Sequence, residues 1–232
     1  MRRATLTLST VTVLALAASG TFAAAAGTST ASIKFSTKKP KTSTGLTVDI
    51  RPAPGPDGKA KILSDVKLGL PKGTKLDTTA TTACTLTDQQ IKDGGGPAKA
   101  CPPGSKVGTG TADVLLGGNP ATFGIQMFNA PSGGKPYLLL DLQLNGSSAY
   151  TVAGTLKGST LDFALTLAES IDARTQHIAF TIKAAGKGKK AYLRTPATCP
   201  STGKLKTTTF LTYTDSADQV KGTIACTKPK KK

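Results

Sequence analysis

The chain has no tryptophan, one histidine (His177) and one glutamate (Glu169) in 232 residues, and aromatics make up only 5% of it. Each shortage removes a class of function. Zinc sites need clustered histidines or closely spaced cysteines. With one histidine and no CxxC spacing, no metal is expected. A catalytic triad needs a nucleophile, a base and an orienting acid in fixed geometry. No GxSxG occurs, and the alternation around His177 places it on the solvent side with Ala179 and Thr181. Asp162, Glu169 and Asp172 could supply a glycosidase pair. Sugars are seated on aromatic platforms that this chain lacks, however, and Glu169 to Asp172 reads as a polar turn between strands. No catalytic residue and no cofactor are therefore expected. Asp215, Ser216 and Asp218 read as a hairpin turn with local side-chain caps rather than a calcium loop, which needs denser oxygen ligands. Single-strand nucleic-acid binders interleave basic grooves with stacking aromatics, so specific nucleic-acid binding is not expected either.

The N-terminus carries Arg2 and Arg3, a short apolar run from Leu6 to Ala18, and small residues from Phe22 to Gly27. This pattern is that of a signal peptide over residues 1–26. The apolar run is shorter than the ~20 residues a membrane-spanning helix requires. No transmembrane segment is expected in the mature chain. Loss of Arg2 and Arg3 leaves 28 basic and 13 acidic residues, a net charge of +15. Proteins of this charge adsorb to anionic polymers: an anionic cell-wall polymer is a candidate partner, as are acidic polysaccharide, anionic lipid and nucleic acid, and a solvated basic surface that aids solubility or adheres loosely to the wall is the simpler reading. Along the chain the positive charge is scattered: Lys38 and Lys39, Lys59 and Lys61, Lys187 to Lys190, and the tail from Lys228.

What the chain has is the texture of an all-β protein. Short runs of Thr, Val, Leu and Ile are separated by Gly, Pro, Asn and Ser. Leu138, Leu140, Leu142 and Leu144 share one face, and Tyr137, Leu139, Asp141 and Gln143 the other. Leu161, Phe163, Leu165 and Leu167 share a face in the next such run, and Ile178, Phe180 and Ile182 in a third. Period-two alternation marks strands with one buried face. Asn145-Gly146 and Lys157-Gly158-Ser159 are hairpin turns, since Asn and Gly tolerate positive φ. The fold expected is an antiparallel β-sandwich or meander. It spans residues 27–227 as one monomeric domain, with a division near residue 120 as the alternative, and residues 228–232 form a basic tail.

One short helix is expected inside the first cysteine loop. Thr87 and Gln90 have the spacing of a capping box, Asp88 suits the positive end of the helix dipole, and Gly94 to Gly96 end it. Four cysteines behind an export signal read as two disulfides. Local pairing favours Cys84 with Cys101 and Cys199 with Cys226, one of three connectivities the sequence permits. Pro102, Pro103 and Gly104 make a turn after Cys101. The strand from Val107 carries glycines that allow a bulge or close backbone approach.

The runs Leu68 to Gly73 (LGLPKG), Ala83 to Thr87 (ACTLT), Ala100 to Gly110 (ACPPGSKVGTG) and Arg194 to Cys199 (RTPATC) resemble a module of secreted actinobacterial proteins. The resemblance covers Asp65 to Cys226. It departs after Val107, where Asn119-Pro120-Ala121 replaces the usual approach to a Pro-Val-Tyr segment. It implies an exported, β-rich surface or wall-associated protein and supplies no catalytic residues. Two readings of function follow: a non-catalytic structural, adhesion or wall-associated protein, secreted or held at the wall, or a binding module for an apolar or glycan ligand between sheets. An apolar-lined cavity would favour the second, a filled core the first.

Overall fold

The computed structural model describes residues 27–55, 58–131, 137–165, 168, 172–187 and 190–227. The signal peptide expected over 1–26, the basic tail 228–232 and Glu169 lie outside the described residues. The strands are β1 (Thr30–Phe35), β2 (Leu46–Arg51), β3 (Leu63–Gly69), β4 (Lys75–Leu76), β5 (Lys106–Leu116), β6 (Asn119–Asn129), β7 (Tyr137–Leu144), β8 (Ser147–Lys157), β9 (Thr160–Ala164), β10 (Ala173–Ile182), β11 (Gly186–Lys187), β12 (Lys190–Ala191), β13 (Leu193–Arg194), β14 (Lys204–Tyr213) and β15 (Ala217–Ala225). Two short helices, α1 (Asp88–Asp93) and α2 (Pro97–Ala100), lie between β4 and β5.

The expected all-β architecture is present, as a single sheet curled on itself rather than two facing sheets. Eleven strands run in the order β1-β2-β10-β5-β6-β7-β8-β9-β3-β14-β15. Every pairing in it is antiparallel. The edge strands β1 and β15 come round until their Cα atoms lie within 8 Å of each other, but no ladder joins them. With eleven strands and strict alternation, the two edges must point the same way. Side chains and one backbone bond close this seam. At one end Ser29 Oγ meets the Tyr213 hydroxyl at 3.0 Å, donates to Asp218, and accepts from Ala53 N. At the other, Thr227 N donates to Lys38 O at 2.8 Å.

The hairpin turns fall where the sequence places them. Asn145 and Gly146 both have positive φ, 52° and 77°, between β7 and β8, and Gly158 turns β8 into β9. The meander stops there. β10 does not return to β9 but pairs with β2 and β5. Residue 120 lies inside the continuous β5–β6 hairpin.

Alternation sorts the side chains into an inner and an outer set. Leu46, Val48, Leu68, Met127, Leu138, Leu161 and Ile182 point inward and are essentially inaccessible. Tyr192 and Leu193, on the connection between β10 and β14, join this core at the end of the barrel where Thr227 meets Lys38. Two inner phenylalanines lie opposite glycines on neighbouring strands: Phe180 faces Gly110, and Phe163 faces Gly154. Their rings meet edge to face, centroids 6.1 Å apart, a geometry worth about 1 kcal/mol beyond burial.

The glycines of β5 are used as the sequence suggested. The ladder bulges between Lys106 and Gly108. A Cβ at Gly110 would collide with the Ala179 carbonyl oxygen and with Phe180, and one at Gly108 would reach Thr181 O. Their absence lets β10 cross β5 closely and curl the sheet. Gly110→Ala should therefore lower stability by about 2 kcal/mol. Gly124→Ala, where the nearest atom would be 3.9 Å away, should change it by less than about 0.5 kcal/mol. Paired thermal melts check this; equal effects would remove the close-approach argument.

Candidate functional site

Both expected disulfides are formed, and they have different tasks. Cys84–Cys101 closes α1 and α2 into a hairpin over the outer face of the barrel. Thr87 caps α1 with the reciprocal Gln90 bond that defines the capping box. The second helix, α2, was not evident in the sequence; a four-residue helix opened by a proline has too little periodicity to register. Ile91, Cys84 and Cys101 then bury Phe128 and Leu139, a cross-strand pair on β6 and β7. This explains why Leu139 to Leu142 carries apolar residues on both faces. Cys199–Cys226 ties the approach to β14 to the end of β15, where Cys226 N also donates to Gly203 O. Loops of 17 and 27 residues correspond to roughly 3 kcal/mol each in the chain-entropy account.

Beneath the helical hairpin sits a buried carboxylate. Asp141 is fully inaccessible. It accepts from Ser148 Oγ at 2.5 Å, Gln143 Nε2 at 2.9 Å and Ala98 N at 3.3 Å. A buried charge satisfied this way is a fastener: it locks α2 onto β7 and β8. Gly96, with φ +99°, is required there because a side chain would run into Ser148. Asn129 makes a matching anchor, its Nδ2 donating to Thr78 O at 2.8 Å and Thr82 O at 3.1 Å.

His177 lies on the outer face as the alternation indicated, but it is not free in solvent. Its ring nitrogens sit 3.2 Å from Asp49 and 3.3 Å from Asp113, and its side chain is only 18% exposed. The strands β2, β10 and β5 bring the three together, and a bulge between Thr175 and His177 sets the ring. Asp49 also faces Arg51 at 3.9 Å. Thr122 Oγ1 also donates to Asp113, at 2.7 Å. Of the carboxylates considered for a glycosidase pair, Glu169 lies outside the described residues, Asp162 faces Lys67 at 3.7 Å, and Asp172 holds Arg174 at 3.0 Å. Asp215 accepts from Ser216, as a turn cap does, while Asp218 serves the seam. Among the described residues no cluster of His, Cys, Asp or Glu could hold a metal ion.

The most distinctive concave feature is inside the barrel. At the end away from Tyr192, the core opens into a cavity of about 120 Å³. Its walls are Ile50, Val114, Phe123, Ile125, Leu142, Tyr150 and Val152, and its floor is the Phe163–Phe180 pair. Small residues make the room: Ala112 on β5 and Ala173 on β10 stand where larger side chains would fill it, and Ala168 borders it at the β9–β10 connection. Phe123 and Tyr150 pack edge to face, centroids 6.0 Å apart. Among the described residues, the polar ones bordering it are Thr151, Thr175 and the Tyr150 phenol. The individual wall strands were legible in the sequence. The cavity was not, because its existence depends on which small residues meet across strands distant in the chain.

Two phenols report on the packing. Burial pushes the Tyr192 hydroxyl well above the ordinary tyrosine value, and it has no hydrogen-bond partner among the described residues. Burial also raises Tyr213, partly offset by its bond to Ser29. Raised folded-state values mean that this stability is complete below the unfolded pKa of about 10 and is lost as pH rises through it. Thermal stability should fall above about pH 10, with Tyr192 ionising only as the fold is lost. Ultraviolet phenolate titration alongside circular dichroism measures this; reversible ionisation of all four tyrosines in the intact fold would contradict it.

Neither the known protein families, nor characterised proteins, nor solved structures give a match to this chain, so its own geometry carries the functional argument.

Proposed function

We propose that this is an exported, non-catalytic barrel that holds a small apolar ligand, a single ring or the end of an alkyl chain, in its interior. The observation that carries this reading is the apolar cavity at one end of the curled sheet, lined mainly by aliphatic and aromatic side chains. Apolar cavities of roughly 150 Å³ stay dry and take up benzene or xenon, and 120 Å³ is close to that size. An aqueous glycan fits poorly, since few hydrogen-bonding groups line the space among the described residues. Two disulfides suit an oxidising, extracellular setting, and the resemblance to secreted actinobacterial modules points the same way.

The test is ligand-dependent stability. Benzene and a series of short alkyl alcohols should raise Tm logarithmically with concentration, a stabilisation of about 2.7 kcal/mol at a hundred times Kd. For a domain of this size that is roughly 5–10 °C. Ala112→Leu and, separately, Ala173→Leu should fill the space and abolish the shift while keeping the fold. No such shift, or an equal shift in both variants, would reject the reading.

A further inference from the structure

Charge that is scattered along the chain is gathered by the fold. Residues 27–48, 173–214 and 219–232 contain seventeen lysines and arginines and no aspartate or glutamate. The rest of the chain from residue 49 carries eleven basic and thirteen acidic residues. The whole positive excess of the mature chain therefore lies in three segments far apart in sequence. In the sheet their described parts, which carry twelve of these seventeen, are neighbours. They supply β1, most of β2, β10, β14 and most of β15, which are the strands flanking the seam on both sides.

Arg174 pairs with Asp172, but six lysines on this wall point outward and are not used internally. Lys204 and Lys206 alternate with buried Leu205 and Thr207 on β14, and Lys221 sits opposite Thr208 on β15. Lys34 lies across the seam on β1, between buried Ile33 and Phe35. Lys38 and Lys39 extend the row on the following loop. That loop is held in place by Thr195, whose hydroxyl donates to Lys39 O at 2.8 Å and accepts from Thr42 N at 3.0 Å. No ion pair among the described residues engages any of these six lysines. The nearest acids along these strands are already committed: Asp49 to His177 and Arg51, and Asp218 to Ser29 and Tyr213.

We infer that this seam-centred wall is a docking face for a linear anionic glycopolymer of the cell wall, read by charge alone. A row of unpaired, outward lysines on a stiff sheet matches repeating negative charge on a flexible chain. Two alternatives fit the face less well. Single-stranded nucleic acid would need stacking platforms, and Phe210 is the only exposed large hydrophobic residue among those described. A lipid surface would need an apolar patch to insert, and one phenylalanine does not make one. The face also leaves the cavity mouth free, because the loop with Lys38 and Lys39 lies at the opposite end of the barrel from Ala168 and Ala173. The inference stands apart from ligand uptake: either can fail without the other.

The full mature chain is tested against three immobilised probes: a purified polyol-phosphate wall polymer, single-stranded DNA, and vesicles containing anionic lipid. Two triple variants carry the same change in net charge: Lys34→Glu, Lys206→Glu and Lys221→Glu on the face, and Lys92→Glu, Lys99→Glu and Lys157→Glu away from it. All six positions are exposed, and matched thermal melts establish that both variants fold. The face variant should bind the wall polymer at least about tenfold more weakly than the parent, and the control variant less than about threefold. About 0.5 M NaCl, where the Debye length is near 4 Å, should release the parent. Equal losses in the two variants would show that net charge alone acts and would overturn the face. So would salt-resistant retention, or tighter binding of DNA or vesicles than of the wall polymer.

Discussion

An odd number of strands joined only by antiparallel ladders cannot close on itself. When eleven such strands curl round, the first and last run parallel, and the alternating hydrogen-bond pattern that built the sheet has no continuation between them. The remainder of the molecule is arranged around that constraint. The edges are held by side chains where Ser29, Tyr213 and Asp218 meet, and by the single backbone bond from Thr227 to Lys38. The Cys199–Cys226 bridge stands beside the second of these. A covalent bond is thus placed next to the weakest line in the barrel, where few backbone bonds resist opening.

The interior follows from the same curling. Sharp curvature needs strands that approach closely, and β5 allows it by giving up side chains at Gly108 and Gly110. The missing volume is returned by Phe180 lying across Gly110, and Phe163 repeats the arrangement on Gly154. These two rings divide the barrel. On one side of them Leu46, Met127, Ile182 and Tyr192 fill the space completely. On the other, Ala112 and Ala173 leave it incompletely filled. A packed half gives rigidity to an unpacked half, which is how a barrel can hold a preformed cavity without collapsing into it.

Local features were legible in the sequence because their causes are local. Turn residues set the β7–β8–β9 hairpins, the Thr87–Gln90 pair sets α1, and two short cysteine loops set their own bridges. Alternation sorted inner from outer residues on β7, β9 and β10. Sheet order was not legible beyond β9, because alternation gives the face of β10 but not the identity of its partner. The partners, β2 and β5, lie about 130 and 70 residues away by strand order, and no turn signal spans such distances. His177 illustrates the limit. Its outward direction follows from the residues beside it, while its two carboxylate neighbours come from different hairpins. The charge map failed for the same reason: lysines that are dispersed along the chain are adjacent only once the sheet order is known.

The unpaired edges of β1 and β15 have a colloidal consequence. A free strand edge is a template for any other strand, and soluble proteins guard such edges with lysine. Here each edge is shadowed by the other, and Lys34 and Lys221 stand on the two flanking strands. The charge that keeps copies of the molecule apart is the same charge that a polyanion would neutralise. Dense packing of molecules along one polymer would bring seams together with their mutual repulsion removed. Ordered self-association through strand addition would then depend on the amount of polymer rather than on protein concentration alone.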